Sequence, residues 1–337
     1  MQILYIIPFF STVFMSTQIL LTGAFGNIGE STLLALLDKK YDVKCFDIEN
    51  ETTRKQSSIL SQSGQFETIW GDITDKESIR PAIQGVDCIL HLAAILPPAS
   101  EKNPEVTEKV NVGGTRNIIE LASELEPKPK FVYASSVSVH GPRPASVSPP
   151  VTATAPKKPT DKYTHTKVAC EELILQSELP WTILRFAAVP PLKLGGDLDP
   201  MLFETPADQR IEFAHTRDVG QAVANSVEAD TEKKILLIGG GKECQMLQYD
   251  FLNGLFQVMG IGKLPREAFK VPEKDDDWYY TDWMDTEESQ ALLNYQKHSY
   301  EDYLNDMKKT LGFRRYFMKL MGPLIRSRLL KQSPYYK

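Results

Sequence analysis

"QILLTGAFGNIGES", residues 18–31, is an apolar run broken by glycines at positions 23, 26 and 29. Such a run predicts a strand that ends in a tight turn and passes into a helix whose first amides are bare. The amino end of a helix carries unpaired N–H donors and the positive end of the peptide dipoles, so it favours an anion. Gly23 is expected to make the turn. Gly26 would let a bulky phosphate approach the backbone, and Gly29 would let the helix lie close on the strand. Plain turn punctuation uses the same glycines, so residues elsewhere must decide.

Six more β-rich runs follow: "YDVKCFDI", "FETIWGDI", "VDCILHLAA", "KFVYASS", "WTILRFAAV" and "KILLIGG". Between them lie segments such as "GESTLLALLDKK" and "GTRNIIELASEL", with apolar residues three and four apart, the spacing of one helical face. Strands that are apolar nearly throughout, alternating with helices, predict an α/β fold with a doubly wound parallel sheet covered on both faces. Residues 141–160 carry six prolines and no periodicity, which predicts a long loop. Beyond about residue 190 the alternation loosens, and a smaller lobe at the sheet edge is expected.

The chain has 337 residues, 42% of them apolar and 24% charged, enough for a large buried core. Its net charge of -6 gives no general attraction to nucleic acid. Cys45, Cys88, Cys170 and Cys244 are widely spaced, without a CxxC pair, and read as reduced core residues in a cytoplasmic setting. Residues 1–14 are apolar but too short to span a bilayer, and no basic residue precedes them as in a signal peptide. They read as an extension ahead of Met15, or as the product of a start codon assigned too early. The five histidines have no partners at ligand spacing, so no metal is expected.

Asp47 ends the second strand about twenty residues past the glycine turn, where a carboxylate can accept both hydroxyl protons of an adenosine ribose and repel a 2′-phosphate. NAD is therefore expected rather than NADP, although Arg54 argues the other way. Asp72, in "WGDITD", falls where it could meet the adenine or cap the next helix. Tyr163 and Lys167, four apart in "YTHTK", share a helical face, and Ser136 closes the fifth strand at the same sheet edge. A nearby ammonium stabilises phenolate. Tyr163 would then be acid or base at a carbinol or carbonyl oxygen that Ser136 also holds.

In this order the motifs resemble the extended short-chain dehydrogenases/reductases of the NAD-dependent epimerase/dehydratase family. The matching stretches are "TGAFGNIG", "GDITD", "HLAA", "NVGGTRNIIE", "SSVSVHG" and "YTHTK", with "HTRDVGQAV" at 215–223. The resemblance implies a Rossmann fold holding NAD with Gly23, Phe25, Gly26, Asn27, Ile28, Gly29, Asp47, Asp72, Ile73, Leu92, Ala93, Ala94 and Asn111. Ser136, Tyr163 and Lys167 would be catalytic, Tyr163 and Lys167 also touching the cofactor, with Lys167 on the nicotinamide ribose. It implies a cofactor domain over 16–190 and 211–243, and a substrate lobe over 191–210 and 244–310.

The departures bear on substrate. His140 stands where the family commonly has Tyr, and "RFAAVPP" replaces "RNVYGP". Val137 and Ser138 follow Ser136 where sugar dehydratases place a Thr and an acid, which disfavours dehydration. A nucleotide sugar is thus one candidate, with Arg210, Arg217 or Arg266 to meet its phosphate. A sterol- or flavonoid-like ketone is another. A non-catalytic NAD-binding regulator is the rival from a different class, since both an epimerase and a dehydrogenase would need the Ser, Tyr and Lys while a sensor would not.

Residues 311–337 hold seven basic residues and no acid, with Phe313, Phe317, Leu320 and Leu324 near one stripe that Gly322 and Pro323 are expected to interrupt. Such a tail can rest on an anionic membrane, dock on its own domain, or join a second subunit as a homodimer.

Overall fold

The computed structural model describes residues 16–192 and 200–337. The expected extension at 1–15, and residues 193–199 of the expected lobe, lie outside the described residues. The chain starts with β1 (Gln18–Thr22), α1 (Asn27–Asp38), β2 (Asp42–Asp47), α2 (Glu51–Leu60), β3 (Glu67–Trp70), α3 (Lys76–Ile83) and β4 (Cys88–His91). Two short helices, α4 (Ala99–Lys102) and α5 (Pro104–Glu108), lead through a π-turn into α6 (Gly114–Ser123). Then come β5 (Lys130–Ser136), α7 (Lys162–Leu175), β6 (Trp181–Phe186), β7 (Arg210–Glu212), α8 (Thr216–Asn225), β8 (Lys234–Ile238) and β9 (Gln245–Leu247). The lobe adds α9 (Gln248–Val258), α10 (Glu287–Leu293), α11 (Tyr300–Leu311) and α12 (Arg314–Gln332).

Seven strands form one parallel sheet in the order β3-β2-β1-β4-β5-β6-β8, and these are the seven runs read from the sequence. Their near-continuous apolar character follows from burial on both faces. Ile19 and Leu21 join one core cluster and Leu20 between them joins the other; Cys88 and Leu90 part from Ile89 in the same way. Between β1 and β4 the winding direction reverses, which opens a crevice at the carboxyl ends of the strands.

A third cluster, around Phe203, Phe213, Phe256 and Phe269, is the core of the later residues. Gly322 of α12 lies so close to Gly260 that a Cβ there would stand 2.0 Å from the Gly260 oxygen. Leu329 and Leu330 bury the end of the same helix. Against expectation α12 runs through Pro323 without a break. Pro323 is exposed, so the amide that it withholds falls on the solvent side, where water can serve the orphan carbonyl. In the same way α8 is seated against α1: a Cβ on Gly220 would come within 2.5 Å of the Ser31 backbone.

Candidate active site

The crevice is a cavity of about 1130 Å³ at the carboxyl edge of the sheet. Every residue expected to hold NAD or to be catalytic lines it except Asn111. Asn111 is buried behind the wall, where its amide accepts from the Ile95 N–H at 2.7 Å and donates to the Ile95 oxygen and to Thr166. It fixes the loop after "HLAA", and touches the cavity only through that loop.

Two of the three glycines of the first turn have a steric reason of their own. Gly23 has φ +68°, and a Cβ there would stand 2.8 Å from the Ala93 nitrogen. A Cβ on Gly29 would meet the Gly23 oxygen at 2.1 Å. At Gly26 the nearest atom would be 3.5 Å away, an ordinary contact, so nothing inside the protein requires glycine there. What does fit is an anion at the start of α1, whose cap residue Gly26 offers no side-chain acceptor to the first amides.

Asp47 accepts from the Phe25 amide at 2.9 Å and from its neighbour Ile48 at 2.8 Å. Burial pushes its carboxyl up, and these two hydrogen bonds pull it partly back. Arg54 pairs with Glu49 at 2.7 Å and lies off the cavity lining. Lys167 is the one cation among the described lining residues, so no described side chain is set to receive a 2′-phosphate. Asp72 lines the cavity and accepts the Thr74 amide at 2.8 Å within its own loop, whereas the cap of α3 is Asp75, which accepts the Glu77 amide at 3.0 Å. The cradle, the carboxylates and the cavity size fit an adenine dinucleotide.

Ser136, Tyr163 and Lys167 converge at the other part of the same cavity. Ser138 donates to the Ser136 oxygen through its hydroxyl at 2.8 Å and its amide at 3.2 Å. Both Ser136 lone pairs are thereby engaged, which leaves its own proton for the Tyr163 phenol, whose pKa Ser136 lowers. Lys167 donates to the Ala134 oxygen at 2.6 Å and stands 5.6 Å from the centre of the Tyr163 ring. The expected downward pull of Lys167 on the phenol is not what dominates. Burial pushes Tyr163 well above the ordinary phenol range, with the Ser136 bond pulling down, while burial lowers Lys167 to about 8. Tyr163 is thus a neutral proton donor in the protein alone.

The supporting residues were the part the sequence concealed. Glu101 accepts the Tyr163 and Lys162 amides at 3.1 and 3.2 Å, capping α7 beside Asp161, which accepts from Thr164. One turn beyond Lys167, buried Glu171 takes a two-nitrogen grip from Arg185 and a 2.7 Å bond from Ser135. His140 adjoins Arg185 at 3.2 Å, and burial first, then that guanidinium, lowers it to about 4. Only the i, i+4, i+8 series Tyr163, Lys167, Glu171 could have signalled this network. His91 bridges Thr22 and Thr115 as a buried neutral ring. Arg210, Arg217 and Arg266 do not reach the cavity: they pair with Asp282, Asp306 and Asp208. At α10 the cap residue is Thr286, and Asp285 accepts the Glu287 amide at 3.3 Å.

Residues 20–183 match the profile of the 3-beta hydroxysteroid dehydrogenase/isomerase family. The chain is 30% identical over 191 residues to the 3 beta-hydroxysteroid dehydrogenase/Delta 5-->4-isomerase of Mycobacterium tuberculosis, which covers 55% of this chain and 49% of that protein. To the human decarboxylating sterol-4-alpha-carboxylate 3-dehydrogenase it is 29% identical over 180 residues, 53% of this chain and 45% of that one. It therefore spans about half the length of the curated relatives that it matches. Among solved structures, UDP-glucuronic acid 4-epimerase of Bacillus cereus in complex with NAD superposes with a TM-score of 0.71 at 23% identity, over 88% of this chain and 96% of that one. The dTDP-glucose 4,6-dehydratase of Streptomyces venezuelae gives 0.73 at 20%, over 89% and 98%. These two likenesses establish the fold. Over residues 20–183 the ordered motifs and the profile match make the chain similar to the 3-beta hydroxysteroid dehydrogenase/isomerase family, and its fold is that of the NAD-dependent epimerases and dehydratases.

Proposed function

We propose that the chain is an NAD-dependent oxidoreductase that interconverts a secondary alcohol and its ketone on an apolar, ring-bearing substrate. The observation that carries this reading is the convergence of Ser136, Tyr163 and Lys167 in the same cavity as a bare helix amino end. NAD supplies the hydride acceptor at its nicotinamide ring. Gly26 and the first amides of α1 would take its phosphates, Asp47 the adenosine ribose, and Lys167 the nicotinamide ribose.

The chain's own residues then have one proton to move and one oxygen to hold. Tyr163 gives its phenolic proton to the carbonyl oxygen in reduction and removes it in oxidation. Ser136, oriented by Ser138, steadies the same oxygen. Glu101 and Asn111 act as positioning residues, the first on α7 and the second on the loop at Ile95. Such chemistry has no use in a pure cofactor sensor.

The apolar substrate rests on the remaining wall. Ile95, Leu96, Pro97, Val110 and Val189 line the cavity, and no described arginine does. A nucleotide sugar needs cations for its diphosphate, whereas a hydroxysteroid-like alcohol needs apolar walls and one polar point. The sterol-oxidising activities in the names of two curated relatives agree with this choice.

The test is incubation of the purified chain with NAD and a 3-hydroxysteroid, reading reduced-nicotinamide absorbance and product mass. Net cofactor reduction with ketone formation supports the proposal. Isomer interconversion of a nucleotide sugar without net cofactor change would establish an epimerase instead.

A further inference from the structure

Helix α12 presents an apolar stripe to solvent. Phe313, just before it, and Tyr316, Phe317, Leu320 and Leu324 are between 64% and 83% exposed. At 100° per residue these five fall within about a third of the helix circumference. The opposite face carries Gly322 and Leu329, the residues that seat the helix on the lobe. Arg326 adds a 2.7 Å bond to the Lys263 oxygen, and Ser333 closes the far end on the Ala268 oxygen at 2.6 Å. The stripe is therefore held outward by a fixed mount.

Charge identifies what covers it. Arg314, Arg315, Lys319, Arg326, Arg328 and Lys331 lie on this one helix, and residues 311–337 contain no acid, in a chain whose net charge is -6. A second copy of so basic a helix would be repelled from the first. An anionic lipid surface attracts the cations and offers an apolar layer to the rings at the same time. The helix has 19 residues, about 28 Å of length. Among the described residues no helix is long and apolar enough to cross a bilayer, so the fit is to lying in the interface.

We propose that α12 docks this protein flat on an anionic membrane, with Phe313, Phe317, Leu320 and Leu324 in the headgroup–acyl boundary and Arg314, Arg328 and Lys331 beside them on lipid phosphates and carboxylates. This is independent of the chemistry in the cavity.

The experiment is co-sedimentation of the full chain with vesicles of phosphatidylcholine alone and of phosphatidylcholine mixed with phosphatidylserine. Partition is expected to be at least about tenfold stronger on the anionic vesicles and to fall as salt is raised. The triple variant Phe317→Ser, Leu320→Ser, Leu324→Ser should lose the partition while keeping its thermal midpoint and circular dichroism. A Phe317→Trp variant should shift its emission to the blue when anionic vesicles are added. Three results would each overturn the proposal: no partition, equal partition on both vesicle types, or partition unchanged in the triple variant. Concentration-dependent dimerisation that the triple variant abolishes would also overturn it, by assigning the stripe to a second copy.

Discussion

Asp47 accepts the Phe25 amide at 2.9 Å, so the acid that ends β2 also ties down the glycine turn at the mouth of α1. Its other hydrogen-bonding capacity faces the cavity. Asp47→Asn is expected to weaken NAD binding by about 1.5–3 kcal/mol, roughly ten- to a hundredfold, because a charged acceptor is lost. The NADP affinity should fall much less. Titration of both cofactors by calorimetry checks the ratio.

Gly29 and Gly26 make a contrasting pair. Gly29→Ala forces a carbon against the Gly23 oxygen and should cost several kcal/mol or prevent folding. Gly26→Ala meets only an ordinary contact, so it should keep its urea midpoint while weakening NAD binding about tenfold or more. Equal loss of folding in both variants would remove the case for a ligand at Gly26.

Tyr163→Phe should lower turnover by about 10²–10⁴-fold and leave NAD affinity within about twofold. Burial holds Lys167 at about 8, so its ammonium persists below that pH and is lost above it. In the direction of carbonyl reduction, where Tyr163 must donate, kcat/KM should be flat at neutral pH and descend above about pH 8. Lys167→Met should remove this limb along with most of the rate.

Acid should loosen the fold before the ordinary carboxylates titrate. Burial lowers His91 to about 3 and His140 and His215 to about 4, from 6.5, so the unfolded chain takes up these protons first. Their contribution is intact above about pH 6.5 and is lost as pH falls through that value towards 4. Burial raises Glu212 to about 7 from 4.5, which works in the opposite sense between those values. Three protons against one leave a net loss of up to roughly 3 kcal/mol per pH unit below 6.5. Urea midpoints at successive pH values measure it, and His215→Gln should flatten the slope.

Glu171→Gln removes one partner of a buried pair and strands Arg185 beside His140. A loss of about 3–5 kcal/mol is expected in urea unfolding. Replacing both Glu171 and Arg185 by Met should recover most of it, which would separate the cost of a stranded charge from the worth of the pair.

The strands and the cofactor turn were legible because their physics is local. A nearly all-apolar strand such as "CILH" announces cover on two faces, and Gly23 and Gly29 each answer a constraint within the turn or the strand beside it. The support of the site was not legible, because Glu171, Arg185 and His140 meet from three separate segments and Glu101 reaches the start of α7 from a fourth. Lys167 shows the same limit. Its spacing from Tyr163 gave their shared face, but the dominance of burial over its charge depends on what the whole domain packs around them. Pro323 misled because its effect depends on which side of α12 meets water.

The backbone contact of Gly220 with Ser31 has a consequence for rates. Together with Gly29 it wedges α1 between its own strand and α8, leaving no side chain that could give. A helix amino end so clamped is ordered when the chain folds, and a bound dinucleotide would ask for little further ordering. Variants that weaken its contacts should therefore bind almost as fast as the parent and differ in residence time.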